Sequence, residues 1–198
     1  MLRRLALFLM ATAAMGETIS DAERARAVQY LHASEKKLLD AVGGLSDAQW
    51  NFKPSPERWS AAECAEHITV TEQAIFGAVQ KILKAPAEPE KKELARGKDE
   101  LVVKAVPDRS RKVTAPEAVR PTSRWPGRDA LLRQFEETRA RTIAFTRSTQ
   151  DDLRAHFYPH FVLKELDAYQ WLLFLAAHCE RHTAQILEVK AEAGFPAK

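Results

Sequence analysis

The chain's 198 residues are 45% apolar and 29% charged, a balance that supports one ordinary globular domain with a true core rather than two large ones. No run of about 20 apolar residues offers a membrane-spanning helix, and two cysteines cannot build a disulfide scaffold or an all-cysteine zinc module. Thirty Lys and Arg stand against 27 Asp and Glu, interleaved along most of the chain, so the clustered basic face that nucleic-acid binding requires is missing.

The first residues read as an export signal. Met1 to Arg4 carry two positive charges, Leu5 to Met15 are almost wholly apolar, and Ala14 and Gly16 place small side chains at the minus-three and minus-one positions of a cut before Glu17. Residues 1–16 are therefore expected to be a cleaved signal peptide and residues 17–198 the folded domain, periplasmic or secreted. Retention as an amino-terminal anchor is the alternative. Losing Arg3 and Arg4 takes the 30 cations to 28 against 27 acids, which removes any net basic field.

Four long helices follow from caps and periodicity. The first begins with the capping box Ser20-Asp21-Ala22-Glu23, carries Val28, Leu31, Leu38 and Val42 on one face, and stops at Gly43-Gly44. The second begins with the box Ser60-Ala61-Ala62-Glu63 and places Cys64, His67, Ile68, Thr71, Ile75, Ala78 and Ile82 at helical spacing before Pro86. A polar stretch from Pro86 to Pro126 comes next, with a helical pattern only over Glu93 to Val106. The third helix spans about Arg128 to Ser148, with Leu131, Leu132, Phe135, Thr138, Thr142 and Phe145 inward. The fourth starts after Asp167, boxed with Gln170, and ends before Gly194. No alternating apolar run bounded by turns signals a strand. The expected fold is all-α, a four-helix bundle with a long crossover between helices 2 and 3.

The inward stripe of the fourth helix reads Trp171, Phe174, Leu175, His178, His182, Gln185 and Val189, with polar side chains where a bundle ordinarily places Leu or Ile. Histidines at i and i+4 project from one face about 6 Å apart, within reach of one metal ion. His67 falls in the stripe of the second helix. Three neutral imidazoles with an open fourth position form the ligand set of a catalytic metal site, suited to a divalent ion, zinc or nickel foremost, with cobalt or iron also accommodated. Core histidines satisfied by hydrogen bonds are the alternative reading.

Leu45-Ser46-Asp47-Ala48-Gln49-Trp50, Lys53-Pro54, Trp59-Ser60, Glu66-His67-Ile68 and His178-Cys179-Glu180-Arg181-His182-Thr183-Ala184-Gln185-Ile186 together resemble the DinB-like superfamily, as do Asp108-Arg109-Ser110, Ala115-Pro116-Glu117 and Tyr158-Pro159-His160 in the connections. The resemblance covers nearly the whole mature chain. It implies a four-helix bundle that binds a divalent metal through His67, His178 and His182, often as a homodimer. Some relatives are metal-dependent transferases of low-molecular-weight thiols, others are described as hydrolases and many have no known activity, so a metal-dependent enzyme acting on a small-molecule substrate is expected, and the resemblance does not imply contact with DNA. Export counts against the thiol transferase, because those thiols are concentrated in the cytosol. A non-catalytic metal- or ligand-binding bundle is the alternative, and a bundle whose histidines bind nothing is a third reading.

The remaining polar residues have plainer expectations. Glu63 completes a cap, Glu180 and Arg181 point away from the stripe toward solvent or a dimer face, and Gln185 orients a ligand, a water or a backbone group. His32, His156 and His160 take surface or loop roles. The tryptophans Trp50, Trp59, Trp125 and Trp171 cover bundle ends and core. Cys64 and Cys179 are expected to be buried free thiols that neither pair nor ligate.

Overall fold

Reciprocal capping boxes start most of the helices. In a computed structural model describing residues 18–197, Ser20 and Glu23 open α1 (Asp21–Val42), Ser46 and Gln49 open the short α2 (Asp47–Asn51), and Ser60 and Glu63 open α3 (Ala61–Ile82). Each box pairs the hydroxyl with the third helical N–H and the third side chain with the cap N–H, satisfying two donors that the first turn leaves free. The chain leaves α1 through Gly44 at φ +68°, a left-handed conformation that favours glycine.

The crossover then carries a 3-10 turn at Pro89–Lys91, α4 (Lys92–Ala95), α5 (Lys98–Ala105) and a second 3-10 turn at Glu117–Val119. The expected helical pattern over Glu93 to Val106 is thus split in two, at Gly97, whose φ is +72°. The third and fourth long helices are α6 (Arg128–Ser148) and α7 (Ala168–Lys190), the latter boxed by Asp167 and Gln170.

One expectation is overturned. A two-stranded antiparallel hairpin, β1 (Phe157–His160) with β2 (Lys164–Asp167), precedes α7, with Phe157 opposite Asp167 and His160 opposite Lys164. Four-residue strands are too short to show an alternating pattern, and Pro159 sits inside one of them. The hairpin holds because it docks on α7, where the Trp171 indole N–H donates to the Tyr158 carbonyl at 2.9 Å.

The bundle closes in the cyclic order α1, α7, α3, α6, and α5 packs on the outer side of α7. Helix α7 is therefore covered from three sides, and every residue from Ala168 to Ala177 is buried. Among the described residues no helix is long and apolar enough to cross a membrane. The expected signal peptide, residues 1–16, lies outside the described residues.

The core also encloses a buried ion pair. Arg139 of α6 is fully buried and grips Glu72 of α3 with two hydrogen bonds of 2.6 Å. Its remaining donors reach the Leu31 carbonyl and the Ser34 hydroxyl of α1, so one guanidinium joins three helices.

Candidate metal centre

Helices α3 and α7 lie side by side, and the three histidines on their facing stripes meet. The ligand atoms of His67, His178 and His182 all fall within 4.8 Å of one another. His67 Nε2 and His178 Nε2 are 3.2 Å apart, and the His67 and His182 ring centres are separated by 4.4 Å. Nitrogens bound tetrahedrally at about 2.0–2.1 Å from one ion stand about 3.3 Å apart, so the spacing fits a shared metal. Among the described residues no other group of His, Cys, Asp or Glu offers three ligand atoms in this way.

Two of the rings are oriented from behind. The Val119 carbonyl lies 2.7 Å from His67 Nδ1; a carbonyl only accepts, so Nδ1 carries the hydrogen and the Nε2 lone pair faces the cluster. His182 Nδ1 is 2.9 Å from Gln185 Oε1, which also accepts from Arg109 at 3.2 Å. Two donors on that atom identify it as the amide oxygen and leave His182 Nε2 as a free acceptor. Each ring thus has the hydrogen-bond partner behind it that fixes the orientation of a metal-ligating histidine.

The electrostatics agree with neutral ligands. Burial pushes His67 below the usual imidazole range, against the opposing hydrogen bond to Val119. Burial and the neighbouring histidines push His178 and His182 well below it. Trp59 stands 4.9 Å from His67 and 6.0 Å from His182, ring centre to ring centre, and Phe174 stacks on His178 at 5.7 Å. His67 and His182 are buried, and His178 is partly exposed.

The other histidines stay apart. His32 is on the surface near Glu35, and His156 meets the Ile82 carbonyl. His160 packs among Phe161, Trp171 and Phe174 while its Nδ1 accepts the N–H groups of Val162 and Leu163. Glu63 acts as a cap and pairs with Lys53.

Five functional assignments change or are added. Glu180 is neither solvated nor on a free face: it accepts from Tyr30 at 2.7 Å and pairs with Lys37, both on α1. Arg181 holds the crossover through the carbonyls of Val106, Asp108 and Arg111. Trp59 packs on the core as expected and also walls the cluster, and Val119 and Arg109 enter from a connection whose long-range partners no local spacing could reveal. Cys64 and Cys179 are free, buried thiols; burial drives both upward, Cys179 to about 11.

The fold and the site's geometry can now be set beside known proteins. The chain belongs to the DinB superfamily, whose model matches residues 30–186. YuaE, an uncharacterized protein of Bacillus subtilis (strain 168), is 31% identical over 147 residues, covering 74% of this chain and 86% of YuaE. YfiT from Bacillus subtilis, described as "a probable metal-dependent hydrolase with an unusual four-helix bundle topology", has a TM-score of 0.57 at 16% identity, covering 91% of this chain and 93% of YfiT. At that identity the likeness to YfiT is one of fold.

Proposed function

We propose that the chain is a metal-dependent enzyme in which a divalent ion, held by His67, His178 and His182, serves the attack of water or a low-molecular-weight thiol on a small electrophilic substrate. The observation that carries this reading is the convergence of three neutral imidazoles, two of them with Nδ1–H already occupied. When bound in such a set, the ion lowers the pKa of a coordinated nucleophile toward neutrality and polarises the group under attack.

The chain's own residues orient and insulate. Val119 and Gln185 keep two Nε2 lone pairs aimed inward, and burial keeps the rings uncharged. Trp59 and Phe174 pack against the cluster from two sides. Burial favours the protonated form of the Cys64 and Cys179 thiols, which makes them poor nucleophiles. Hydrolysis is the form we favour, in line with the description of YfiT.

Elemental analysis of protein purified without a histidine tag tests the reading. A stoichiometric divalent ion is expected, lost by orders of magnitude in affinity on His67→Ala, His178→Ala or His182→Ala and retained in His32→Ala. Chelator-sensitive turnover of a panel of esters, amides and thiol acceptors is expected as well. Metal without turnover makes the bundle a non-catalytic binder, and equal metal content in all four variants overturns the site.

A further inference from the structure

The residue before the first ligand does unusual work. Glu66 is buried, and its carboxylate accepts three successive backbone N–H groups of the crossover: Thr122 at 2.7 Å, Ser123 at 2.9 Å and Arg124 at 3.2 Å. Consecutive N–H groups turned toward one anion form a nest. Ser123 adopts φ +60°, a left-handed conformation that a non-glycine residue keeps only when its surroundings enforce it.

The Arg124 side chain extends the same clamp. Its guanidinium donates to Glu66 at 3.0 Å and to the carbonyls of Arg120 and Ala118 at 2.7 and 3.3 Å. Those two residues flank Val119, whose own carbonyl takes the His67 Nδ1–H. Neighbours on α3 thus grip one loop at two points: Glu66 fixes the loop, and the loop fixes the His67 ring.

We propose that Glu66 is a positioning residue for the histidine centre, acting through residues 118–124 to set the tautomer and ring orientation of His67. The metal-affinity part rests on the function proposed above; the tautomer part does not. Glu66→Gln keeps the shape of the side chain but leaves a single acceptor oxygen and turns an NH2 group toward backbone donors. Arg124→Ala removes the outer half of the clamp at a partly exposed position and serves should Glu66→Gln fail to fold.

The first readout is the imidazole proton–nitrogen NMR spectrum of the metal-free protein. Wild-type His67 is expected as the Nδ1–H tautomer alone, Glu66→Gln as a mixture, and Arg124→Ala as a smaller shift in the same direction. The second readout is zinc affinity by chelator competition. Glu66→Gln is expected to lower it roughly 10- to 100-fold, the range typical of outer-shell partners, and to add nothing further in a His67→Ala background. A His67 that keeps its tautomer in both variants, or a Glu66→Gln effect of equal size with and without His67, overturns the proposal. A wild-type protein that binds neither zinc nor any other divalent ion overturns the function proposed above and leaves the tautomer test to decide this one.

Discussion

Gln185 Oε1 accepts a hydrogen bond from His182 Nδ1 at 2.9 Å, three residues along the same helix, and a second from Arg109 at 3.2 Å. Arg109 is itself held by both carboxylate oxygens of Glu188, so the amide that orients His182 is fixed from the crossover side. Replacing Gln185 with Leu removes the acceptor and frees the His182 tautomer. Zinc affinity measured by competition is expected to fall roughly 10- to 100-fold, with the helix content unchanged.

The histidines make the metal-free protein acid-sensitive. In the folded state burial lowers His67, His178 and His182, and brings His160 down to about 4, whereas all four titrate near 6.5 in the unfolded chain. Between those values the unfolded chain binds more protons, so stability is fully present above about 6.5 and is lost as pH falls toward the folded values. Asp167, raised to about 6 chiefly by burial, works in the opposite sense as one group against four. Melting temperatures of metal-free protein between pH 7.5 and 4.5 are expected to fall steadily. Phe at position 160 should flatten the lower part of that curve. Metal binding, which competes with protons for the same rings, is expected to persist below pH 6, where ordinary imidazoles would already be charged.

The pairing of Arg139 with Glu72 predicts an asymmetric mutational result. Glu72→Ala leaves a buried guanidinium without its counter-ion and is expected to cost about 3–5 kcal/mol, whereas the joint replacement Glu72→Leu with Arg139→Met is expected to be close to neutral. Urea denaturation of the two variants measures the contrast. A Glu72→Ala loss no larger than that of the double variant would show the pair to be dispensable to the core.

The export expected from the sequence yields a prediction independent of the fold. Mass spectrometry of the protein from its native envelope fraction is expected to find an amino terminus near Glu17, the residue after Gly16 in the apolar leader. An intact Met1 in the cytosol would refute cleavage and bring the thiol-transferase alternative forward.

What could be read from sequence was what short range encodes. Ser20 with Glu23, Ser60 with Glu63 and Asp167 with Gln170 announce their helices within four residues, and all three boxes form. His178 and His182 share a face because of helical spacing, and His67 joins them because two apolar stripes pack. The box at Ser46 and Gln49 was equally local, but it opens a helix of five residues that carries no periodic stripe. The hairpin at Phe157–Asp167 escaped because Lys164 takes φ +61° without a glycine to mark the turn. Glu66 and Val119 were beyond reach for a different reason: the loop that links them to His67 lies 52 to 58 positions away and has no regular structure between Arg120 and Gly127. Glu180 and Arg181 were misjudged on the same ground, since their partners sit on α1 and the crossover.

The closeness of His67 to His178 across 111 positions has a thermodynamic consequence. A ligand gripping both would tether the ends of a long loop that the unfolded chain leaves wide apart, acting as a reversible staple between α3 and α7. Free ion at a hundred times its dissociation constant would add about 2.7 kcal/mol to folding. The same two side chains that select the ion would then make the lifetime of the whole bundle follow metal supply, and a starved molecule would be the first to reach a protease.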